Sequence, residues 1–252
     1  MTEPVILILG GTREAADLAE RLTAAAPHAR VISSLAGRTR SPAALAGEVR
    51  IGGFGGKEAL STYLAANKVT ALIDATHPYA DRISKNAHWA AERAGCPLLR
   101  LERAAWERVE GDRWITAESA KEAASLLRNM TVKRVLLTTG KKDLEAFKDL
   151  RGLRLLIRLV ETPVLPEDYP EHELILARGP FKEEAEIRLL KEKKVEVLVS
   201  KNSGGEATYS KISAARVLGL PVVMIERPPQ SGDCGEISVQ GLLQRLSGLG
   251  VI

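Results

Sequence analysis

The stretch Val5-Ile6-Leu7-Ile8-Leu9-Gly10-Gly11-Thr12-Arg13-Glu14 decides the fold. Five apolar residues in a row, closed by two glycines, read as a buried strand running into a tight turn. Thr12 stands where a helix N-cap is needed. Ala15, Leu18, Ala19 and Leu22 then share one face at helical spacing. The opening is thus a strand, a glycine turn and an amphipathic helix.

The same alternation continues outward. Strands are expected at Val31-Ile32 and at residues 49–51, 69–75 and 97–101. Ser/Gly-rich loops follow the first two, and helices fall between the later ones. The second half repeats the style, with helices at 117–128 and 143–150 and strands at 132–138, 153–159 and 174–177. Pro180 can open a helix, since its missing N–H is not needed there, and Phe181, Ala185 and Leu189 mark its apolar face. Strands at 195–199 and 222–225 and a helix at 239–246 complete the chain. About ten strands alternating with helices imply parallel sheets covered on both faces, and more strands than one small domain usually holds.

The halves resemble each other. Gly95-Cys96-Pro97-Leu98-Leu99-Arg100-Leu101-Glu102-Arg103 matches Gly219-Leu220-Pro221-Val222-Val223-Met224-Ile225-Glu226-Arg227, with Gly, Pro, Glu and Arg in register. The expected fold is α/β, two Rossmann-like lobes with parallel sheets facing across a ligand cleft. The lobes are expected at 1–112, holding a cofactor, and 113–252, holding a substrate.

Composition agrees with this class. The 252 residues are 45% hydrophobic and 27% charged, ordinary for a soluble globular protein, while aromatics are only 4%. The core must therefore be built from Leu, Val, Ile and Ala, which suits buried parallel strands. The net charge of +4 fits an anionic ligand. No Lys/Arg block points to nucleic acid. Cys96 and Cys234 make neither a disulfide framework nor a metal motif. The apolar run at Val5 has no basic flank and is too short for a signal or a membrane span, so a cytoplasmic protein with no membrane partner is expected.

Candidate sites sit where strands end, because ligands of open α/β sheets lie beyond the carboxyl ends of the strands. Gly10, Gly11, Thr12, Arg13 and Glu14 could cradle a diphosphate with backbone N–H groups and a helix N-terminus. Ser33, Arg38 and the Gly52-Gly53 turn fall where adenosine ribose is met. No acid stands in segment 33–40, so its hydroxyls and guanidinium groups suit a 2′-phosphate and favour NADPH over NADH. His77 is a candidate proton donor, with Tyr79 beside it for substrate or nicotinamide. In the second half, Gly140, Lys141, Arg158, Arg178, Lys201, Asn202, Ser203, Gly204 and Gly205 offer a cationic, donor-rich edge for carboxylates. Tyr-x-x-x-Lys, Gly-x-Ser-x-Gly and His-Glu-x-x-His are all absent, leaving short-chain dehydrogenase, serine hydrolase and zinc chemistry without support.

Taken in order, several segments resemble the precorrin-6A reductase family. These are Ile8-Leu9-Gly10-Gly11-Thr12-Arg13-Glu14, Asp74-Ala75-Thr76-His77-Pro78-Tyr79-Ala80, Thr138-Thr139-Gly140, Ile157-Arg158-Leu159-Val160, Ala177-Arg178-Gly179-Pro180-Phe181 and Ser200-Lys201-Asn202-Ser203-Gly204-Gly205. The resemblance implies reduction of one macrocycle double bond, precorrin-6A to precorrin-6B in cobalamin biosynthesis, with a reduced nicotinamide cofactor. It implies a polycarboxylate, tetrapyrrole-derived substrate, transient contact with neighbouring pathway enzymes, and strand exchange between the lobes, for which 97–101 and 222–226 are the candidates. Three alternatives stay open: a cobalt-precorrin-6A reductase using NADH, a reductase of an unrelated substrate, and a two-lobed binding protein for an anionic small molecule.

Overall fold

The computed structural model describes residues 3–37, 45–228 and 238–252. Arg38, a candidate 2′-phosphate ligand, lies outside the described residues, as do Arg40 and Cys234. The chain forms two units, Met1–Ala104 with Pro229–Ile252, and Ala105–Pro228.

The first unit carries β1 (Val5–Leu9), β2 (Arg30–Leu35), β3 (Glu48–Ile51), β4 (Ala71–Asp74) and β5 (Leu98–Arg100). They form one parallel sheet in the order β3-β2-β1-β4-β5. Between them run α1 (Arg13–Ala25), α2 (Lys57–Ala66) and α3 (Asp81–Ala94). Side chains of a strand alternate between faces, and β1 uses both. Ile6 and Ile8 share a core with Leu18 and Leu22 of α1. Val5, Leu7 and Leu9 share the opposite core with Leu60 and Leu64 of α2 and Ala87, Ala90 and Ala91 of α3. All five residues of β1 are therefore buried, which is why the run carries no polar residue.

The second unit holds β6 (Arg113–Ala117), β7 (Arg134–Leu137), β8 (Arg154–Leu159), β9 (His172–Leu176), β10 (Val197–Lys201) and β11 (Pro221–Ile225). This sheet is also parallel, in the order β6-β11-β10-β7-β8-β9. Its helices are α4 (Ala120–Arg128), α5 (Glu183–Glu192) and α6 (Ser210–Val217). A 3₁₀ segment, Lys141–Phe147, stands where a helix over 143–150 was expected.

The internal repeat is visible in backbone detail. Gly95 and Gly219 both have φ +63°, ending α3 and α6 in the left-handed conformation that glycine tolerates. The following N–H groups close the same bond, Cys96 to Ala91 O and Leu220 to Ala215 O, both 2.9 Å. Lys68 and Lys194 both take φ +50° after α2 and α5. Strands β7 to β11 thus repeat the β1 to β5 order, with β6 added beside β11.

The segments that change unit are not the strands expected to do so. β5 pairs with β4, and β11 pairs with β10, each in its own half's sheet. The chain after β5 instead enters the second unit as β6 and α4. The chain after β11 returns to the first unit as α7 (Val239–Gly248), whose Leu242 and Leu246 join the core of α1. The division therefore falls at 104/105 rather than 112/113, and the last helix leaves the second unit. β6 had not been expected at all. Its sequence Arg-Trp-Ile-Thr-Ala is an edge strand, partly exposed over most of its length, and lacks the unbroken apolar run of a central strand.

The apolar face of α5 also differs. Ala185 is exposed, whereas Glu186 and Leu190 are buried. An acid inside the core shifts the stripe by one residue, and its partner is described below. Among the described residues no helix is long and apolar enough to cross a membrane.

Two expectations follow from this packing. Leu246 is fully buried, so Leu246→Ala should destabilise the protein by about 2–5 kcal/mol, read from urea unfolding. Burial also pushes the Cys96 thiol up to about 11. In a Cys234→Ser background, Cys96 should alkylate at pH 8 about two orders of magnitude more slowly than a free thiol, because so little thiolate is present. Since the folded state keeps this proton longer than the unfolded chain, stability should fall as pH rises from about 9 to 11.

Candidate functional site

In the first unit the loops after β1, β4 and β5 converge. Gly10 N–H donates to Ser34 O at 3.0 Å, tying the turn to β2. Gly11 has φ +111°, which L side chains rarely adopt, and a Cβ placed there would meet no atom within 4 Å. The turn needs glycine for its backbone, and the space beside it is open. Thr12 caps α1 as expected, its Oγ accepting the Ala15 N–H at 3.1 Å. The same hydroxyl donates to Ala75 O at 2.9 Å, fixing the turn against the end of β4. Arg13 is exposed.

Glu14 places a carboxylate in the first turn of α1, where it would repel an anion. Arg103 offsets it, with Nη1 at 3.1 and 3.2 Å from the two carboxylate oxygens. Thr12, Glu14, Thr76, Pro78, Glu102 and Arg103 line a crevice. It lies where the strand order reverses around β1, the position at which doubly wound sheets bind ligands.

Farther along the sheet edge, Ser33 and Ser34 are strand residues rather than loop residues. β2 runs through Leu35, and Ser33 is only 2% exposed. Gly52 and Gly53 follow β3, and Gly52 donates its N–H to Leu35 O at 2.9 Å. Arg50, overlooked in the sequence, organises this corner. Its Nη1 donates to Ser34 Oγ at 3.3 Å and to Gly52 O at 2.5 Å, and its Nη2 to Gly53 O at 2.9 Å. The guanidinium also lies 3.8 Å from the centroid of Phe54. An arginine closing a strand just before a double glycine was the available signal.

After β4, the buried Asp74 accepts from the N–H and hydroxyl of Thr76 at 3.1 and 2.7 Å, shaping the loop that carries His77. His77 Nδ1 accepts the N–H of Tyr79 at 3.3 Å. This bond helps to orient the ring. The rings of His77 and Tyr79 lie 5.6 Å apart.

In the second unit, several expected ligands are engaged within the protein. Arg158 forms a buried ion pair with Glu186, Nη1 to Oε1 2.5 Å, and lies 4.4 Å from the Phe181 ring. This is the partner that draws Glu186 inward. Lys201 pairs with Asp143 at 2.5 Å, joining the loops after β10 and β7. Asn202 clamps the backbone of Trp106, accepting its N–H at 2.7 Å and donating to its carbonyl at 2.9 Å. Ser203 O accepts from Arg227 at 3.2 Å. Lys141 and Arg178 are exposed. Gly140, Gly204 and Gly205 have φ of +92°, +68° and +72°. The sequence also missed Lys211, buried against Trp106 with Nζ 4.6 Å from the ring centroid. Nothing in a lone lysine at the start of a helix announces burial.

Comparison with known proteins supports one family throughout. Residues 5–246 match the family model described as Precorrin-6x reductase CbiJ/CobK. The precorrin-6A reductase of Rhodococcus erythropolis is 47% identical over 224 residues, 89% of each chain. The cobalt-precorrin-6A reductase of Priestia megaterium is 32% identical, over 89% of this chain and 91% of that one. A solved CobK precorrin-6A reductase superposes with a TM-score of 0.89 at 37% identity, over 98% of this chain and 97% of the other. The two parallel sheets, the ordered loop motifs and these relatives agree: the chain belongs to the precorrin-6x reductase CbiJ/CobK family.

Proposed function

We propose that this protein reduces one ring double bond of precorrin-6A to give precorrin-6B, with NADPH as reductant. The open glycine turn at the N-terminus of α1, beside the crevice at the switch in strand order, carries the reading. The 47% identity to a precorrin-6A reductase, against 32% to a cobalt-precorrin-6A reductase, favours the metal-free macrocycle.

The first unit suits a dinucleotide better than the second. Its turn opens a 13-residue α-helix capped by a side chain, whereas Gly140 opens a short 3₁₀ segment with no side-chain cap. Aligned peptide dipoles and free N–H groups at an α-helix start favour phosphate. Gly10, Gly11 and the first turn of α1, including Arg13, would hold the diphosphate. Arg103 keeps Glu14 from opposing it. When bound, the dinucleotide supplies a hydride from nicotinamide C4.

The protein's own contribution is positioning and a proton. Holding the reacting carbon close to the hydride removes much of the entropic barrier. His77, as the imidazolium, gives its proton to the neighbouring carbon and is left as the neutral ring, with Tyr79 beside it. Lys141, Arg178 and the glycine-bearing loops at Gly140 and Gly204-Gly205 meet substrate carboxylates. Asn202 and Trp106 support the Gly204-Gly205 loop from within. On this reading the enzyme works in the cytoplasm beside its reductant.

Nicotinamide absorbance followed with NADPH and precorrin-6A tests the reaction; no consumption would reject it. Gly11→Asp puts a charge where phosphate is proposed, and should weaken NADPH binding by about tenfold or more. Equal affinities for mutant and wild type would remove this turn from the site. His77→Ala should lower turnover at saturating substrate by roughly 10²-fold or more if His77 donates the proton. An unaltered rate would make it a spectator.

A further inference from the structure

Arg50 is a cation with neutral partners. Its neighbours are a serine hydroxyl, two glycine carbonyls and the faces of Phe54 and Tyr63. Among the described residues it enters no ion pair, and the acid two residues before it, Glu48, is held by Arg30 at 2.6 and 2.8 Å. A guanidinium has five N–H groups in a rigid fork. The three bonds above leave the Nε–H and one Nη2–H for a further acceptor.

The position of this cation is specific. Arg50 lies directly beside Ser34 in the parallel register of β2 and β3. That is the carboxyl edge of the outer strands on the far side of β1, where a dinucleotide-binding sheet meets the adenosine ribose. Ser34 and its neighbour Ser33 offer no carboxylate to bind the ribose 2′-hydroxyl of NADH. Carbonyls and aromatic faces hold the guanidinium in place without cancelling its charge. Such a preorganised arginine matches a phosphate dianion through charge-assisted, directional hydrogen bonds.

We propose that Arg50 is the residue that selects NADPH over NADH, by receiving the 2′-phosphate of the adenosine ribose. The assignment rests on the reading that the first unit holds the dinucleotide. A residue that merely pinned the Gly52-Gly53 loop would affect both dinucleotides alike. A phosphate ligand affects only the phosphorylated one.

Equilibrium binding followed by nicotinamide fluorescence separates these cases without any substrate. Arg50→Met should weaken NADPH roughly tenfold to a hundredfold, with NADH affinity nearly unchanged, which also shows that the variant is folded. Arg50→Gln, which retains donors for the loop carbonyls but no charge, should give the same preference loss. In competition, 2′,5′-ADP should lose its advantage over 5′-AMP in both variants. Equal weakening of NADPH and NADH, or no weakening of either, overturns the assignment. Gly11→Asp marks the two failures apart. If it abolishes binding while Arg50 variants keep the wild-type preference, Arg50 alone is wrong. If it changes nothing, the site itself is misplaced and the assignment falls with it.

Discussion

Burial of β1 on both faces is the constraint on which the rest of the first unit depends. A strand with apolar side chains on each side needs a helical layer above and another below. α1 and the returning α7 supply one layer, and α2 with α3 supply the other. Once β1 is central and parallel to its neighbours, its carboxyl end must turn sharply into α1. Gly11 at φ +111° is the local cost of that geometry, and the open space beside the turn is its use.

The ion pairs show how the same loops are held without being consumed by function. Arg103 neutralises Glu14, so the start of α1 keeps its positive character. Arg158 and Glu186 lie almost wholly inside, where desolvation costs are high and a partner is obligatory. Such a pair adds little net stability over an apolar one, but it ties α5 to β8. Lys201 and Asp143 join two strand ends in the same manner. Charges that looked in sequence like a wall for substrate are in part paired within the protein.

Much of this was legible in the residues. The apolar run into Gly10-Gly11, the Thr12 cap and the repeated Gly-to-Arg segments gave the parallel sheets and their duplication, because each depends on local periodicity or backbone freedom. What was missed depends on tertiary neighbours. β6 pairs at an edge and needs no continuous apolar run. Glu186 reads as a surface acid until Arg158 is found beside it. The roles of Arg50 and Lys211 rest in part on distant partners, Ser34 and Tyr63 for the first and Trp106 for the second. The direction of exchange between the units could not be read either, since neither half-sequence states which unit its last elements join.

That exchange bears on how the polypeptide acquires its structure during synthesis. α7 follows the whole second unit in the chain yet fills the core around Leu18 and Leu22 of α1. The amino-terminal unit therefore stays incomplete on the ribosome until α7 has been made, after the whole of the second unit, and the usual order of vectorial folding is denied to it. Loss of residues 238–252 would uncover the interior of the unit made first.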